Sequence, residues 1–81
     1  MNIQEILEKV NQIFIEALDN EDIKISAETT KNDIDEWDSL NHIQLIVAIE
    51  KGFKIRFKSS EIYSCANVGE MCVSIEQKLN G

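Results

Sequence analysis

Apolar residues fall at Ile3, Ile6, Leu7, Val10, Ile13, Phe14, Ala17 and Leu18, the three-and-four spacing that places them on one face of a helix. Asn2 stands before this run and Glu5 three residues after it, a capping-box spacing in which each side chain satisfies a backbone N–H left free at a helix start. The pattern predicts a first helix that begins almost at Asn2. Periodicity then stops. From Asp19 to Trp37 the chain is rich in Asp, Asn, Ser and Thr, with Ile23, Ile25, Ile34 and Trp37 isolated among them. Loops of this length are uncommon in compact domains unless pinned or functional, so these four apolar side chains are expected to pack over the helices, Trp37 being the largest anchor.

A second helix is predicted from Ser39 to Lys51, capped by Asp38 and stopped by Gly52 in the left-handed position. It is apolar on two faces. Leu45, Ile46 and Ile49 make a stripe that continues to Phe53 and suits a core, whereas Leu40, Ile43 and Val47 lie round the cylinder on another. That second stripe either docks something outside the domain or packs beneath the preceding loop, a fate that suits Ile43 better than Leu40. Phe53, Ile55 and Phe57 alternate as a strand would, but with no partner strand a buried extended loop is the better reading. Ser59 is placed to cap a short third helix reaching Ser64 and turning Ile62 inward. Asn67 and Glu70 repeat the capping-box spacing ahead of Val68, Met71, Cys72, Ile75 and Leu79, the stripe of a last helix. The expected fold is all-α: one domain over residues 1–81, a bundle of three long helices and one short one with a long loop between the first two, held by shared packing.

At 81 residues a domain buries only ~60% of the surface its unfolded chain exposes. That favours a carrier, binding or interaction module over an enzyme with a pocket walled off from water. Hydrophobic residues at 43% and charged residues at 28% fit a folded globular chain. No apolar run approaches the ~20 residues of a membrane span, and the first residues lack the pattern of a secretory signal. A cytoplasmic monomer without a membrane partner is therefore expected. Cys65, Cys72 and the single His42 cannot complete a tetrahedral zinc site, and both cysteines read as small core residues. Asp33, Asp35 and Asp38 suggest a calcium loop, but Asp38 and Gln44 occupy the places where its Gly and Glu are required. Fifteen acidic against eight basic residues leave a net charge of −7, which opposes nucleic-acid binding and favours basic patches on protein partners.

The segment Glu36-Trp37-Asp38-Ser39-Leu40-Asn41-His42 opens the second helix. Together with the helix order, length and acidity, it resembles the acyl carrier protein family, which bears an Asp-Ser-Leu signature at the same place. The resemblance implies that the Ser39 hydroxyl is joined by a phosphodiester to 4′-phosphopantetheine, taken from coenzyme A by a magnesium-dependent phosphopantetheinyl transferase whose metal Asp38 helps to coordinate. It further implies a non-catalytic chain whose pantetheine thiol bears acyl groups as thioesters between acyl-activating, acyl-transferring or condensing enzymes. The placement has a physical rationale of its own. A serine at a helix start stands outside the hydrogen-bonded barrel, and the free N–H groups and macrodipole there favour a phosphate, partly offset by the charge of Asp38.

On this reading Leu40, Ile43 and Val47 form a docking stripe ringed by Glu36, Asp38, Gln44, Glu50 and Glu61. His42 is expected at the surface of the same helix and not as a base, since no Gly-x-Ser-x-Gly elbow or acid–base–nucleophile set is present. Ile6, Val10, Ile46, Ile62, Cys72 and Ile75 could enclose an acyl chain, although their β-branched bulk argues for a tight, shallow space. The sequence also departs from carriers of fatty-acid synthesis. Asn41, His42 and Gln44 stand where those tend to be acidic, Lys51, Lys54, Arg56 and Lys58 add a basic patch, and Trp37 replaces a small residue. These departures point towards a discrete carrier of a specialised pathway, with polyketide-like, aminoacyl or cell-surface polymer synthesis set beside fatty-acid synthesis as the pathways the resemblance leaves open. An aminoacyl or peptidyl carrier is the nearest alternative, and an unmodified helical interaction domain the next.

Overall fold

A computed structural model describes residues 2–64 and 67–80, and within them the side chains of all but Ser39, Tyr63 and Ser64. Its helices are α1 (Ile3–Leu18), α2 (Ser39–Phe53), α3 (Ser59–Ser64) and α4 (Val68–Asn80). No strand occurs among the described residues. The bundle is the all-α architecture the apolar spacing predicts, and α1 packs against both α2 and α4.

α1 starts where the capping box places it. Asn2 Oδ1 accepts from the Glu5 N–H at 2.9 Å, and Glu5 Oε1 accepts from the Asn2 N–H at 3.2 Å. Its inward face buries Ile6, Val10 and Phe14. Against these lie Leu45, Ile46, Ile49 and Phe53 of α2 and Val68, Met71, Cys72 and Ile75 of α4, forming one core. Five of the six residues expected around an acyl space are fully packed within it, and Ile62 is half-buried beside it. Leu79 is exposed, because the last turn of α4 runs beyond the core.

The loop from Asp19 to Asp38 is pinned as expected, with Ile23, Ile34 and Trp37 buried and Ile25 half-buried. Its backbone is secured as well. Asn11 Oδ1 accepts from the Ile25 N–H at 2.8 Å, and Thr30 caps a single 3-10 turn at Lys31–Asp33. The carbonyls of Thr29 and Ala27 accept from the N–H groups of Val68 and Gly69 at 2.9 and 2.8 Å. These are two of the donors that the start of α4 would otherwise leave unsatisfied. The approach is so close that a Cβ at position 69 would stand 2.8 Å from the Ala27 carbonyl oxygen, which is why glycine is needed there.

Two expected boundaries shift. α2 does not stop at Gly52. It runs through buried Phe53, and Lys54 takes the left-handed conformation at φ 58°. Gly52 is instead a place of close helix contact, where a Cβ would stand 3.0 Å from Ile13 Cδ1 of α1. The helix gains Phe53 in the core by continuing one residue past the glycine, and that burial outweighs the strain of a lysine in the left-handed region. Ser59 is the first residue of α3 and not its cap. Lys58 precedes it, its carbonyl accepting from Glu61 and Ile62 while its own N–H donates to Glu61 Oε1 at 2.8 Å. Residues 55–58 form a connection without regular secondary structure that is tied to α2, with the Ile55 N–H on the Glu50 carbonyl at 3.1 Å and the Phe57 N–H on Glu50 Oε2 at 2.8 Å.

Candidate functional site

The N-terminal turn of α2 is built by Asp38. Its extended backbone ends the loop, its Oδ1 accepts from the Asn41 N–H at 2.8 Å, and its carbonyl accepts from the His42 N–H at 2.8 Å. Ser39 is therefore the first helical residue, with its backbone at the positive end of the helix dipole. The N–H of Leu40, beside Ser39, has no acceptor among the described residues. Asp38 and Leu40 flank the serine, and both are exposed. The expectation that the Ser39 hydroxyl itself faces solvent lies outside the described side chains.

Leu40, Ile43 and Val47 are exposed at 72%, 39% and 43%. Gln44 is exposed between them. The alternative that Ile43 packs beneath the loop is thereby removed. The expected acidic ring is thinner than the sequence suggests. Glu36 is half-buried and its carboxylate accepts from Asn20 Nδ2, while its carbonyl accepts from Asn41 Nδ2 at 2.7 Å. Glu50 braces the Phe57 backbone, and Glu61 pairs with Lys78 at 2.9 Å and with the Lys58 N–H. Those contacts hold the Glu61 carboxyl below its ordinary value, the Lys58 backbone bond first and the Lys78 bond second. Asp38 and Gln44 remain exposed on the rim, with exposed Lys51, Lys54 and Arg56 towards the other end of the helix.

His42 is the clearest correction. It is not a surface residue but is buried at 1% exposure. Trp37 Nε1–H donates to His42 Nδ1 at 3.0 Å, and His42 Nε2 lies 2.7 Å from the Ile62 carbonyl oxygen of α3. An indole nitrogen can only donate and a carbonyl can only accept, so these partners assign the ring's proton to Nε2. A spacing signal for this was present: His42 stands three residues before Leu45 and four before Ile46, on the inner stripe. Trp37 meets Phe14 of α1 edge-on, with ring centroids 5.0 Å apart.

Cys72 is buried as expected, and burial pushes its thiol up to about 11. Cys65 lies outside the described residues. Among the described residues no three or more His, Cys, Asp or Glu side chains are gathered as metal ligands. No helix among the described residues is long and apolar enough to cross a membrane.

Comparison with known proteins bears directly on this site. Residues 8–73 match a family model described as a phosphopantetheine attachment site. The chain is 36% identical to an acyl carrier protein of Streptococcus pyogenes serotype M1 and 33% identical to one of Streptococcus thermophilus. Each alignment spans 73 residues, 90% of this chain and 95% of the relative. The fold superposes with a TM-score of 0.85 on the solution structure of a holo acyl carrier protein from Geobacter metallireducens, at 39% identity over 91% of this chain and 85% of that one.

Proposed function

The chain belongs to the phosphopantetheine-attachment family of acyl carrier proteins, and from that premise we propose that Ser39 is the attachment residue. The carrier bears a covalent 4′-phosphopantetheine and is itself not a catalyst. Bound there, the group supplies a thiol that holds acyl units as thioesters. One observation above others supports Ser39: Asp38-Ser39-Leu40 forms the N-terminal turn of α2, with a backbone N–H at Leu40 that has no acceptor among the described residues and with exposed residues on either side of the serine. A phosphodiester oxygen is well served by that donor and by the helix dipole. Asp38 contributes the cap that defines the turn, and its exposed carboxylate is available to a metal held by a visiting transferase.

The family works with biosynthetic enzymes and a phosphopantetheinyl transferase. For this chain we infer that Leu40, Ile43, Val47 and Gln44 form the contact face for acyl-activating, acyl-transferring or condensing enzymes, with residues 1–81 acting as one cytoplasmic carrier domain. Glu36 enters that face indirectly, as the strut beneath the first turn. At ~25 cal/mol per Å², three such side chains supply a few kcal/mol before association costs, which suits brief visits to successive enzymes. The exposed Lys51, Lys54 and Arg56 distinguish the far end of this face and favour a specialised pathway whose enzymes present carboxylates there.

The deciding experiment is incubation with coenzyme A, magnesium and a broad-specificity phosphopantetheinyl transferase, followed by intact-mass measurement. The wild type should gain one phosphopantetheinyl group and Ser39→Ala none. An unchanged wild-type mass, or an equal gain in the variant, would overturn the assignment. Charging the holo form with acyl-ligase and aminoacyl-ligase partners then separates an acyl from an aminoacyl cargo.

A further inference from the structure

We propose that Trp37 and His42 are positioning residues for the modification of Ser39, an inference that rests on the attachment role of Ser39. The two residues bracket the serine in sequence, Trp37 two positions before it and His42 three after. Their side chains form one buried chain of hydrogen bonds, from Trp37 Nε1–H to His42 Nδ1 at 3.0 Å and on to the Ile62 carbonyl at 2.7 Å. At the other end, the Trp37 ring rests edge-on against Phe14 of α1. The first turn of α2 is thus tied to α1 and to α3 at once.

α3 is a short helix that this tie helps to hold. It has six residues, and among its described side chains only half-buried Ile62 is apolar. A helix that short is not stable alone. Polar links contribute to its position: His42 to the Ile62 carbonyl, and Glu61 to Lys78. Because His42 lies less than one helical turn from Ser39, the same bond fixes α3 beside the serine that a transferase must enclose. An apolar pair could fill the volume of Trp37 and His42. It could not specify one register, because directional bonds in a buried site select a single arrangement where packing tolerates several.

Two observables test the tie in the wild type. Nitrogen-15 NMR should show His42 unprotonated on Nδ1 and protonated on Nε2, and the Trp37 indole proton should exchange slowly. Transferase kinetics with coenzyme A and magnesium test its consequence, at a temperature where circular dichroism shows each variant folded. In Trp37→Phe/His42→Leu, which keeps apolar bulk and removes both bonds, KM for the carrier should rise roughly three- to tenfold, the equivalent of one ordinary hydrogen bond. The kcat should stay within about twofold, and the amides of Glu61 and Ile62, bonded to the Lys58 carbonyl, should lose exchange protection while those of α1 and α4 keep it. His42→Gln, whose amide can still donate to the Ile62 carbonyl, should recover most of the wild-type KM.

A double variant with native KM and native protection of α3 overturns the positioning role, provided the wild type is modified normally. A wild-type His42 protonated on Nδ1 overturns it without any variant. If the wild type takes no phosphopantetheine, the attachment role of Ser39 fails, and this inference with it.

Discussion

α2 carries apolar residues on two faces, and the bundle treats them in opposite ways. The inward face, Leu45, Ile46, Ile49 and Phe53, is buried against α1 and α4. The outward face, Leu40, Ile43 and Val47, stays in water. Hydrophobicity is similar on both, so composition does not separate them. What separates them is which face the first helix reaches. The inner face stabilises the fold by leaving water when the chain folds. The outer face holds the same kind of free energy in reserve, to be released when a partner covers it. His42 marks the inner face with a polar residue just where α2 meets α3.

The sharpest way to break this comparison is truncation on each face. Leu45→Ala should cost about 2–5 kcal/mol of folding stability, the range for a buried leucine that leaves a cavity, read as a lowered urea midpoint. Leu40→Ala should leave that midpoint within about 0.5 kcal/mol yet weaken docking of a partner enzyme by about 1–3 kcal/mol, read by titration calorimetry with the holo protein. If the two residues traded outcomes, the assignment of faces would be wrong.

Smaller effects sharpen the boundary between the faces. Asp38→Ala removes the cap that sets the first turn of α2 and should cost about 1 kcal/mol, with thermal unfolding as the measurement. Cys72 should resist iodoacetamide at pH 8 in the folded protein, since its thiol is buried and raised to about 11. Mass spectrometry of the Cys72 peptide checks it. The smallest effect is electrostatic. The folded-state pKa of Glu61 is depressed below 4.5 by the Lys58 backbone and Lys78. Its contribution is therefore complete above pH 4.5 and fades as pH falls through the lower folded value. Glu61→Gln should remove that segment of the stability–pH profile and change nothing near neutrality beyond the lost contact.

Local signals were legible where one residue type has one strong local use. The Asn2–Glu5 capping box, the stripe on α1 and the Asp38 cap each appear where spacing alone places them. The signature around Ser39 was legible for the same reason, since a capped helix start is written in consecutive residues. Gly52 misled because glycine has two uses, a left-handed stop and a close contact, and only Ile13 across the interface chooses between them. The expected acidic ring misled because charge in a sequence says nothing of pairing. Glu36 and Glu61 are engaged by Asn20 and Lys78, sixteen and seventeen residues away, and Glu50 by the Phe57 backbone just beyond its own helix. The polarity of His42 suggests a surface residue, whereas its place on the inner stripe is that of a buried one. The buried Trp37 N–H needed an acceptor, and that need would have pointed to it.

The existence of the helices, the Asn2 and Asp38 caps, the loop between α1 and α2, and the serine at the start of α2 were legible in the sequence, because each rests on interactions spanning a few residues. Only the tertiary structure decided which apolar face of α2 is spent inside, which carboxylates remain free, and that Trp37 and His42 join α1, α2 and α3 beside Ser39. Those outcomes depend on contacts between residues far apart in the chain, such as His42 with Ile62 or Trp37 with Phe14. Periodicity reports how a helix is built, not what its neighbour covers.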